Sequence, residues 1–383
     1  MLTFIFWLCF LLGFVHYVAY PALVICSRAP NKKRNPPSET GSIEKKTLTL
    51  VIAAYNEAAV IDQKIQNSLS LGYPKELLEI LVVSDGSSDA TPERVACYAH
   101  QGVVSLHEAP RKGKTAALNR AVEHAKGEII VFSDANTFYD STALLELAKN
   151  FSNPKVGGVC GRKSILQEEQ RDSSKGDSLF WQFESSLKSA ESALGSIPTA
   201  DGEIFAIRKS LYTKLPEDTI NDDTAITFAI VRQGFRVVYE PKAISRESAS
   251  ITLKEDMAVK ARMVYGGYQS LWTNRAWLLP PRDLFGVQFL VHKTLRHTMP
   301  FFLLVLFLTN LTLSGPFYDW FLAAQVMLYL IAGAGAIARS AGVELSWAYV
   351  PLYYCAMNVS ALTGFAYFLK GRKLTEIWTK AER

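Results

Sequence analysis

An acid and an amide, Asp134 and Asn136, stand two residues apart just after the apolar run 129–132 (IIVF). A run of this kind is typical of a strand buried on both faces, so the two side chains mark the point where a strand ends. Ligands of open α/β sheets bind beyond the carboxyl ends of strands, and oxygen ligands suit a hard divalent cation that carries phosphates. The pattern indicates a site for a metal ion and a nucleotide diphosphate. The alternative is a turn cap, because Asp and Asn also hydrogen-bond to their own backbone at turns.

Two earlier strand-like runs also end in acids or amides. Residues 47–53 lead into AAYNE (53–57), and residues 79–84 lead into SDGSSD (84–89). If the three strand ends lie on one edge of a sheet, their carboxylates meet around a cleft, where they repel one another unless cations or ligand hydrogen bonds compensate. Several polar strand ends in one domain therefore favour the functional interpretation over the turn cap.

The segment RKGKTAALN (111–119) places basic residues, among them Lys114, at the start of a predicted helix. Basic side chains and a helix N-terminus could together meet phosphates. The phosphate-binding loop of nucleotide hydrolases is excluded, because that motif requires a glycine five residues before Gly113, where Glu108 stands. No GxGxxG follows the first strand, which disfavours a dinucleotide-binding fold. A solvated basic loop is the alternative for this segment.

Strand-like and helical patterns alternate along this part of the chain. Strands are predicted at 47–53, 79–84, 103–106 and 128–132, and helices at 57–69, 91–100 and 115–125. Such alternation predicts an α/β fold with a mostly parallel central sheet covered by helices on both faces. Further on, Asp222 and Asp223 open a helix that precedes a strand at 236–239. Adjacent acids at a helix start are usually caps and dipole partners, which is the local alternative to a chemical role.

Apolar segments at both ends of the chain predict membrane helices. Residues 2–26 contain no Asp, Glu, Lys or Arg and are long enough to cross a bilayer; a cleaved signal peptide is disfavoured because the start carries no basic residue. The basic flank that follows predicts that the body of the chain lies in the cytosol. The apolar runs 301–313, 317–338 and 347–369 predict two or three C-terminal membrane helices. Three spans would place the basic tail outside, against the positive-inside rule. The predicted division of the chain is an N-terminal transmembrane helix (1–27), a basic linker (28–46), a cytosolic domain (47–275), an interfacial amphipathic segment (276–300), C-terminal transmembrane helices (301–370) and a basic tail (371–383).

Charge and cysteine content narrow the range of partners. The net charge is +5 and the basic residues are dispersed, so no nucleic-acid partner is expected, whereas the basic flank suits anionic membrane lipid. The five cysteines show neither paired nor metal-ligand spacing. They are typical of free thiols in a reducing compartment.

Seven segments in order along the chain carry a family resemblance: AAYNE, SDGSSD, RKGKTAALN, FSDAN, ADGEIFAIRK, INDDT and KARMVYGGYQSLW. Together they resemble the motifs of the membrane-bound family 2 glycosyltransferases, which include cellulose, hyaluronan and poly-N-acetylglucosamine synthases. The resemblance covers roughly residues 47–275. It implies a GT-A nucleotide-sugar domain.

The resemblance also implies roles for individual residues. Asp134 and Asn136 would hold Mg²⁺ or Mn²⁺ on the donor diphosphate, and Asp223 would be the general base. The residues implied to bind substrate are Ala54, Tyr55 and Glu57 (by the nucleoside), Asp85 (base or ribose), Lys114 (diphosphate or base edge), Asp201, and Arg262 (pyrophosphate).

Two positions depart from the family pattern. Asn136 stands where many relatives have a second aspartate; its amide oxygen still ligates hard cations but removes one negative charge, so metal binding is expected to depend more on the donor's phosphates. Met263 follows Arg262, where the family's Gln-x-x-Arg-Trp motif has tryptophan. This second departure argues against long-polymer processivity.

The resemblance implies an inverting enzyme that moves a sugar from a nucleotide-diphosphate donor, expected to be a UDP-sugar, to a growing cell-surface polysaccharide. Inversion follows because a carboxylate would deprotonate the acceptor hydroxyl as it attacks from the face opposite the leaving diphosphate. The alternatives are a single-sugar transferase acting on a lipid-linked acceptor and a non-catalytic membrane scaffold that binds nucleotide sugars. The expected location is the plasma (inner) membrane, crossed several times, with the catalytic domain cytosolic. Export or accessory membrane proteins are possible partners.

Overall fold

The computed structural model describes residues 1–27, 46–166, 172–248 and 252–372, and the side chains of all these except residues 166 and 172–180. The chain forms two compact units. The first comprises Met1–Cys26, Gln167–Leu179 and Ala249–Arg383. The second comprises Ser27–Leu166 and Phe180–Ser248.

The strands of the second unit form one sheet. Those in the described part of the chain are β1 Leu48–Ala54, β2 Leu78–Asp85, β3 Val103–Glu108, β4 Ile129–Asp134, β5 Phe138–Tyr139, β6 Val156–Leu166, β7 Phe205–Arg208 and β8 Arg236–Ser248. Their order is β3-β2-β1-β4-β7-β6-β8-β5. Strands β3, β2, β1 and β4 run parallel, as do β6 and β8, whereas β7 is antiparallel to β4 and β6, and β5 is antiparallel to β8. The predicted α/β fold with a mostly parallel sheet is confirmed.

The α-helices of the described residues, in chain order, are α1 Leu2–Phe14, α2 Tyr20–Ser27, α3 Ile61–Leu69, α4 Thr91–Ala96, α5 Lys114–His124, α6 Ala143–Lys149, α7 Asp172–Leu194, α8 Asp222–Arg232, α9 Leu253–Thr273, α10 Arg275–Leu278, α11 Leu284–Gln288, α12 Leu295–Asn310, α13 Pro316–Ser340 and α14 Tyr349–Leu369. Two π-helical segments, Val15–Ala19 and Phe289–Thr294, lie between α1 and α2 and between α11 and α12.

The strand register aligns the polar strand ends that the sequence singles out. Ala53 of β1 pairs with Asp134 of β4, and Ala54 pairs with Ser84 of β2. Because the three strands are parallel and in this register, their carboxyl ends meet at one edge of the sheet. The loops that follow β1, β2 and β4 therefore begin side by side.

Apolar side chains cover both faces of the sheet because β1 is apolar at almost every position. Leu50 packs in one core with Ile65 of α3. Its neighbour Val51 packs in a second core with Leu118 of α5. Successive side chains of a strand point to opposite faces, so β1 contributes to both cores and is held between two layers of helices.

Strand β8 is longer than the sequence pattern predicts. The prediction ends the strand at residue 239, before Pro241, whereas the structure continues it to Ser248. The register against β6 shifts between the pairs Cys160–Tyr239 and Arg162–Ile244, so Pro241 lies in an irregular stretch. Proline has no backbone N–H to donate, and a bulge lets the strand pass through it without losing the pairing on either side.

The first unit contains the apolar helices. Three helical segments among the described residues are long and apolar enough to cross a membrane: Leu2–Ser27, Pro316–Ser340 and Ser346–Leu369, with mean hydropathies of 2.1, 1.9 and 1.2. Fully buried Phe6 of α1 packs against Leu306 of α12 and contacts Tyr318 of α13 at 5.1 Å between ring centroids. Pro300 lies within α12, so the predicted boundary at residue 300 falls inside a helix.

Candidate active site

Lys114 and Asp134 are in direct contact at the edge where the strands end. Helix α5 begins at Lys114, after Gly113 with φ +104°. The Lys114 ammonium Nζ donates a hydrogen bond to Oδ1 of Asp134 at 2.7 Å, and the two side chains are 38% and 35% exposed. The residues predicted to bind phosphate and metal thus form one ion pair that is partly exposed and partly buried.

Asp223 lies near the same lysine, and its charge acts on the Lys114 ammonium. A Cβ atom placed on Gly202 would lie 3.6 Å from Cβ of Asp223 and 3.8 Å from both Oδ2 of Asp223 and Nζ of Lys114. Asp223 and Lys114 therefore lie on the same side of Gly202, the residue that follows Asp201. The structure brings together Lys114, Asp134, Asp201 and Asp223 from four separate segments of the sequence.

The surroundings of Asp223 raise the pKa of its carboxyl group. Burial and the neighbouring Asp222 raise the pKa of Asp223 to about 7, with Asp201 adding to the effect. The hydrogen bond from the Thr224 backbone N–H and the charge of Lys114 act in the opposite direction. A carboxylate with a pKa near the working pH is well suited to accept a proton.

The pKa of Lys114 is set mainly by neighbouring charges, which outweigh the effect of burial. Burial lowers its pKa, but the charges of Asp134, Asp222 and Asp223 outweigh burial and raise the pKa above that of an ordinary lysine. Lys114 is therefore a permanent cation at neutral pH. Lys114 offsets part of the negative charge of these carboxylates, and its ammonium can donate hydrogen bonds to a diphosphate whose own charge is balanced by a cation.

Asp85 organises the loop that precedes Lys114. Its carboxylate is buried, accepts hydrogen bonds from the Lys112 backbone N–H at 3.1 and 3.2 Å, and accepts one from the Gly113 N–H at 2.6 Å. Gly86 has φ +66°, and a Cβ there would lie 2.5 Å from the Arg111 backbone nitrogen. The end of β2 thus sets the path of residues 111–113. A contact of Asp85 with a base or ribose stays a prediction.

The end of β1 is tied to the loop after β2. The Asn56 side-chain oxygen accepts a hydrogen bond from the Ser88 backbone N–H at 2.8 Å, and Asn56 adopts φ +54°. The Glu57 backbone N–H donates to Thr91. The Arg111 guanidinium lies 3.9 Å from the centre of the Tyr55 ring. Tyr55 thus lies beside the basic loop and Glu57 is tied to the start of α4, and the predicted contact of both residues with the nucleoside remains a prediction.

Lys188 of α7 is a buried residue beside Asp201 that was not predicted from the sequence. This residue is 2% exposed, and its ammonium lies 2.6 Å from both carboxylate oxygens of Asp201. The signal in the sequence is a charged stripe, because Glu184, Lys188 and Glu191 follow at spacings of four and three residues and share one helix face. All three side chains are buried, so this stripe faces the protein and not the solvent.

Asn136 and Arg262, the remaining predicted residues, are both half-buried. Asn136 lies in the turn after β4. Arg262 lies on α9, in the first unit, so its contact with a pyrophosphate stays a prediction.

Asp134 and Asn136 are the side chains predicted to ligate a divalent cation. Within the described ranges, no three His, Cys, Asp or Glu side chains converge as a metal cluster. Mg²⁺ is commonly bound through one or two carboxylates with phosphates supplying further oxygens. One carboxylate and one amide would suit a cation that arrives with a nucleotide better than a cation held by the protein alone, and binding of Mg²⁺ or Mn²⁺ by Asp134 and Asn136 stays a prediction.

The chain is similar to known proteins over much of its length. Residues 49–215 match the family model for Glycosyl transferase family 2. The chain is 28% identical over 235 residues to poly-beta-1,6-N-acetyl-D-glucosamine synthase of Staphylococcus aureus (strain COL), which covers 60% of this chain and 56% of that protein. The corresponding protein of Staphylococcus epidermidis is 26% identical over 229 residues, 58% and 55% of the two chains. The chain thus spans little more than half the length of these relatives.

A solved structure supports the fold. The mannosyltransferase PcManGT from Pyrobaculum calidifontis, in complex with GDP-Man and Mn²⁺, superposes with a TM-score of 0.70 at 22% identity, covering 96% of this chain and 100% of that one. The predicted GT-A fold is confirmed by this likeness.

Proposed function

We propose that this chain is a family 2 glycosyltransferase, whose family model matches residues 49–215, and that it transfers a sugar, with inversion, from a UDP-sugar to a growing cell-surface polysaccharide. The observation that supports this proposal best is the convergence of Lys114, Asp134 and Asp223 at one sheet edge. The relatives named above are poly-beta-1,6-N-acetyl-D-glucosamine synthases, which favours an N-acetylhexosamine donor and a polymeric product.

Each part of the constellation has a place in such a reaction. Asp134 and Asn136 would hold Mg²⁺ or Mn²⁺, which when bound supplies positive charge to the departing diphosphate. Lys114 would donate hydrogen bonds to the same phosphate oxygens and stabilise the charge that develops as the sugar leaves. Arg262 would add a second cation to the diphosphate.

The acceptor side of the reaction would depend on Asp223. With a pKa of about 7, its carboxylate is ionised in much of the population at neutral pH and can take the proton of the acceptor hydroxyl. The hydroxyl oxygen would attack the anomeric carbon from the face opposite the diphosphate, so the configuration at that carbon inverts. No covalent sugar–protein bond is needed.

We place the second unit in the cytosol, where nucleotide sugars are available, and the three apolar segments in the plasma membrane. This orientation rests on the basic residues that follow the N-terminal apolar segment. A lipid-linked acceptor that receives a single sugar is the second candidate. It is favoured by Met263, which replaces the tryptophan of the family's Gln-x-x-Arg-Trp motif.

The test is product analysis with the purified full-length protein in detergent or lipid. A panel of UDP- and GDP-sugars is supplied with Mg²⁺ or Mn²⁺, and mass spectrometry reads the sugar transferred and the product length, while NMR reads the anomeric configuration. Asp223→Asn should abolish transfer and retain nucleotide binding. The matched control is Glu217→Gln, an exposed acid on the preceding loop. Nucleotide binding without any transfer or donor hydrolysis would refute the catalytic proposal in favour of a non-catalytic scaffold.

A further inference from the structure

A fully buried lysine lies behind the turn that carries Asp134. Lys64 of α3 is 0% exposed, and its ammonium donates a hydrogen bond to Oγ of Ser133 at 2.7 Å and to the backbone oxygen of Thr137 at 2.5 Å. Ser133 and Thr137 are the residues on either side of the segment 134–136. One side chain therefore holds both ends of the turn.

A second residue of the same helix extends this contact. Asn67, three residues after Lys64 and so on the same helix face, donates through Nδ2 to the Tyr139 backbone oxygen at 3.0 Å and accepts from the Tyr139 backbone N–H at 2.9 Å. The Lys64 ammonium also lies 4.4 Å from the centre of the Tyr139 ring. Helix α3 thus fixes the chain at residues 133, 137 and 139.

Burial of the Lys64 ammonium is energetically unfavourable, which indicates that this side chain does more than fill space. The hydrogen bonds described for its ammonium go to a hydroxyl and a carbonyl, neither of which carries a full charge. An apolar side chain could fill the same space without the desolvation of a cation. Burial lowers the pKa of Lys64 to about 7, and the charge of Asp134 opposes that shift.

We propose that Lys64 and Asn67 are positioning residues that hold the turn 134–136 in the geometry needed to receive the cation and diphosphate of the donor. This inference rests on the proposed function of Asp134. Cations such as Mg²⁺ demand near-ideal geometry, so a turn that is already ordered spares the donor the cost of ordering it. Neither residue touches the reacting atoms.

The loss of such supporting contacts commonly costs 10–100-fold in metal affinity, and we expect about a tenfold loss of nucleotide–metal affinity for Lys64→Met. Methionine keeps the length of the side chain and removes the donors. The Michaelis constant for the donor should rise by a similar factor, with a smaller change in kcat. Asn67→Ala is the second variant, in case Lys64→Met does not fold.

Ser68→Ala is the matched control. Ser68 is also 0% exposed on α3, but its hydroxyl donates to the Lys64 backbone oxygen at 2.8 Å, a contact within the helix. The control therefore loses a buried hydrogen bond on the same helix without losing one to the turn. It should bind nucleotide and metal like the unmodified protein.

The experiment measures binding of UDP and of GDP, each with Mn²⁺, to the full-length protein by calorimetry, and hydrogen exchange of the peptides that cover residues 133–139 without ligand. Weaker binding and faster exchange in Lys64→Met or Asn67→Ala, but not in Ser68→Ala, are expected. Unchanged exchange of residues 133–139, or unchanged affinity in both variants, would overturn the inference. If the unmodified protein bound neither nucleotide, the proposed function would fail instead, and the exchange data would still decide whether α3 orders the turn.

Discussion

Lys188 and Asp201 form a buried two-point ion pair, with the lysine ammonium 2.6 Å from each carboxylate oxygen. Asp201 in turn contributes to the raised pKa of Asp223. The lysine therefore compensates a negative charge that would otherwise act more strongly on Asp223. This relationship connects α7, which carries none of the residues predicted from sequence, to the predicted general base.

We expect Lys188→Met to move the pH dependence of transfer to higher pH. Without the ammonium, an ionised Asp201 would raise the pKa of Asp223 further, so its carboxylate would form only at higher pH. We expect the ascending limb to move by roughly one pH unit. Such a shift corresponds to a change of about 1.4 kcal/mol in the interaction between Asp201 and Asp223. The measurement is kcat/KM as a function of pH.

The control for this variant is Lys214→Met. Lys214 pairs with Glu123 on the surface, where the two side chains are 70% and 60% exposed. It tests the general effect of removing a lysine. An identical ascending limb in Lys188→Met and Lys214→Met would show that the buried pair does not tune Asp223.

The unmodified protein should show an ascending limb of kcat/KM near pH 7. The base must be ionised, and the pKa of Asp223 is about 7, so activity should fall about tenfold for each pH unit below that value. The profile is measured from pH 5 to 9 with saturating Mn²⁺. A limb near pH 4, where an ordinary carboxyl titrates, would contradict the role of Asp223.

The stability of the fold should have the opposite pH dependence at this residue. The folded-state pKa of Asp223 lies above the ordinary value of 3.8. Its contribution to stability is therefore complete below pH 3.8 and is lost as the pH rises through about 7. Asparagine stays neutral, so Asp223→Asn should raise Tm relative to the unmodified protein by roughly 2–4 °C at pH 8. This difference should shrink at pH 5, and a difference that is equal at both values would refute the account.

Asp134→Ala should abolish metal-dependent transfer. The variant removes the carboxylate that would hold the cation, and we expect a loss of at least about 100-fold, comparable to the removal of one strong electrostatic contact in a transition state. Titration of Mn²⁺ in the presence of UDP should show the corresponding loss of binding. Asp140→Asn is the control, because this nearby carboxylate pairs with Arg246 at 2.7 Å. Equal activity of Asp134→Ala and the control would exclude Asp134 as a ligand.

Gly86→Ala should weaken donor binding and destabilise the second unit. The position has φ +66°, and the added Cβ would lie 2.5 Å from the Arg111 backbone nitrogen, so the loop before Lys114 would have to move. Gly102→Ala is a matched control, because its φ of +83° is similar and its Cβ would meet nothing within 4 Å. The control should lose about 1–2 kcal/mol from backbone strain alone, and Gly86→Ala should lose more. Urea unfolding and donor KM measure the two effects, and equal losses in both variants would argue against a constrained loop.

The acids at the strand ends could be predicted from sequence because each follows a continuous apolar run. The positions of Lys64 and Lys188 could not. Both lie on amphipathic helices, where a lysine ordinarily faces solvent, and only tertiary packing turns these two toward the protein. The antiparallel insertion of β7 between β4 and β6 was equally hidden, because it joins strands that are distant in the chain. The length of β8 was missed because Pro241 reads as a strand end unless the bulge is known.

The register of β1 limits how this domain can be engineered. Side-chain alternation along β1 places Leu50 and Val51 in different hydrophobic layers, and the pairing of β1 with β4 aligns Ala53 with Asp134. A single-residue slip would exchange the two layers and at the same time displace the acidic tips by one step. Swapping donor specificity by grafting loops onto this scaffold is therefore feasible only if the strands are left untouched, since folding and chemistry share one alignment.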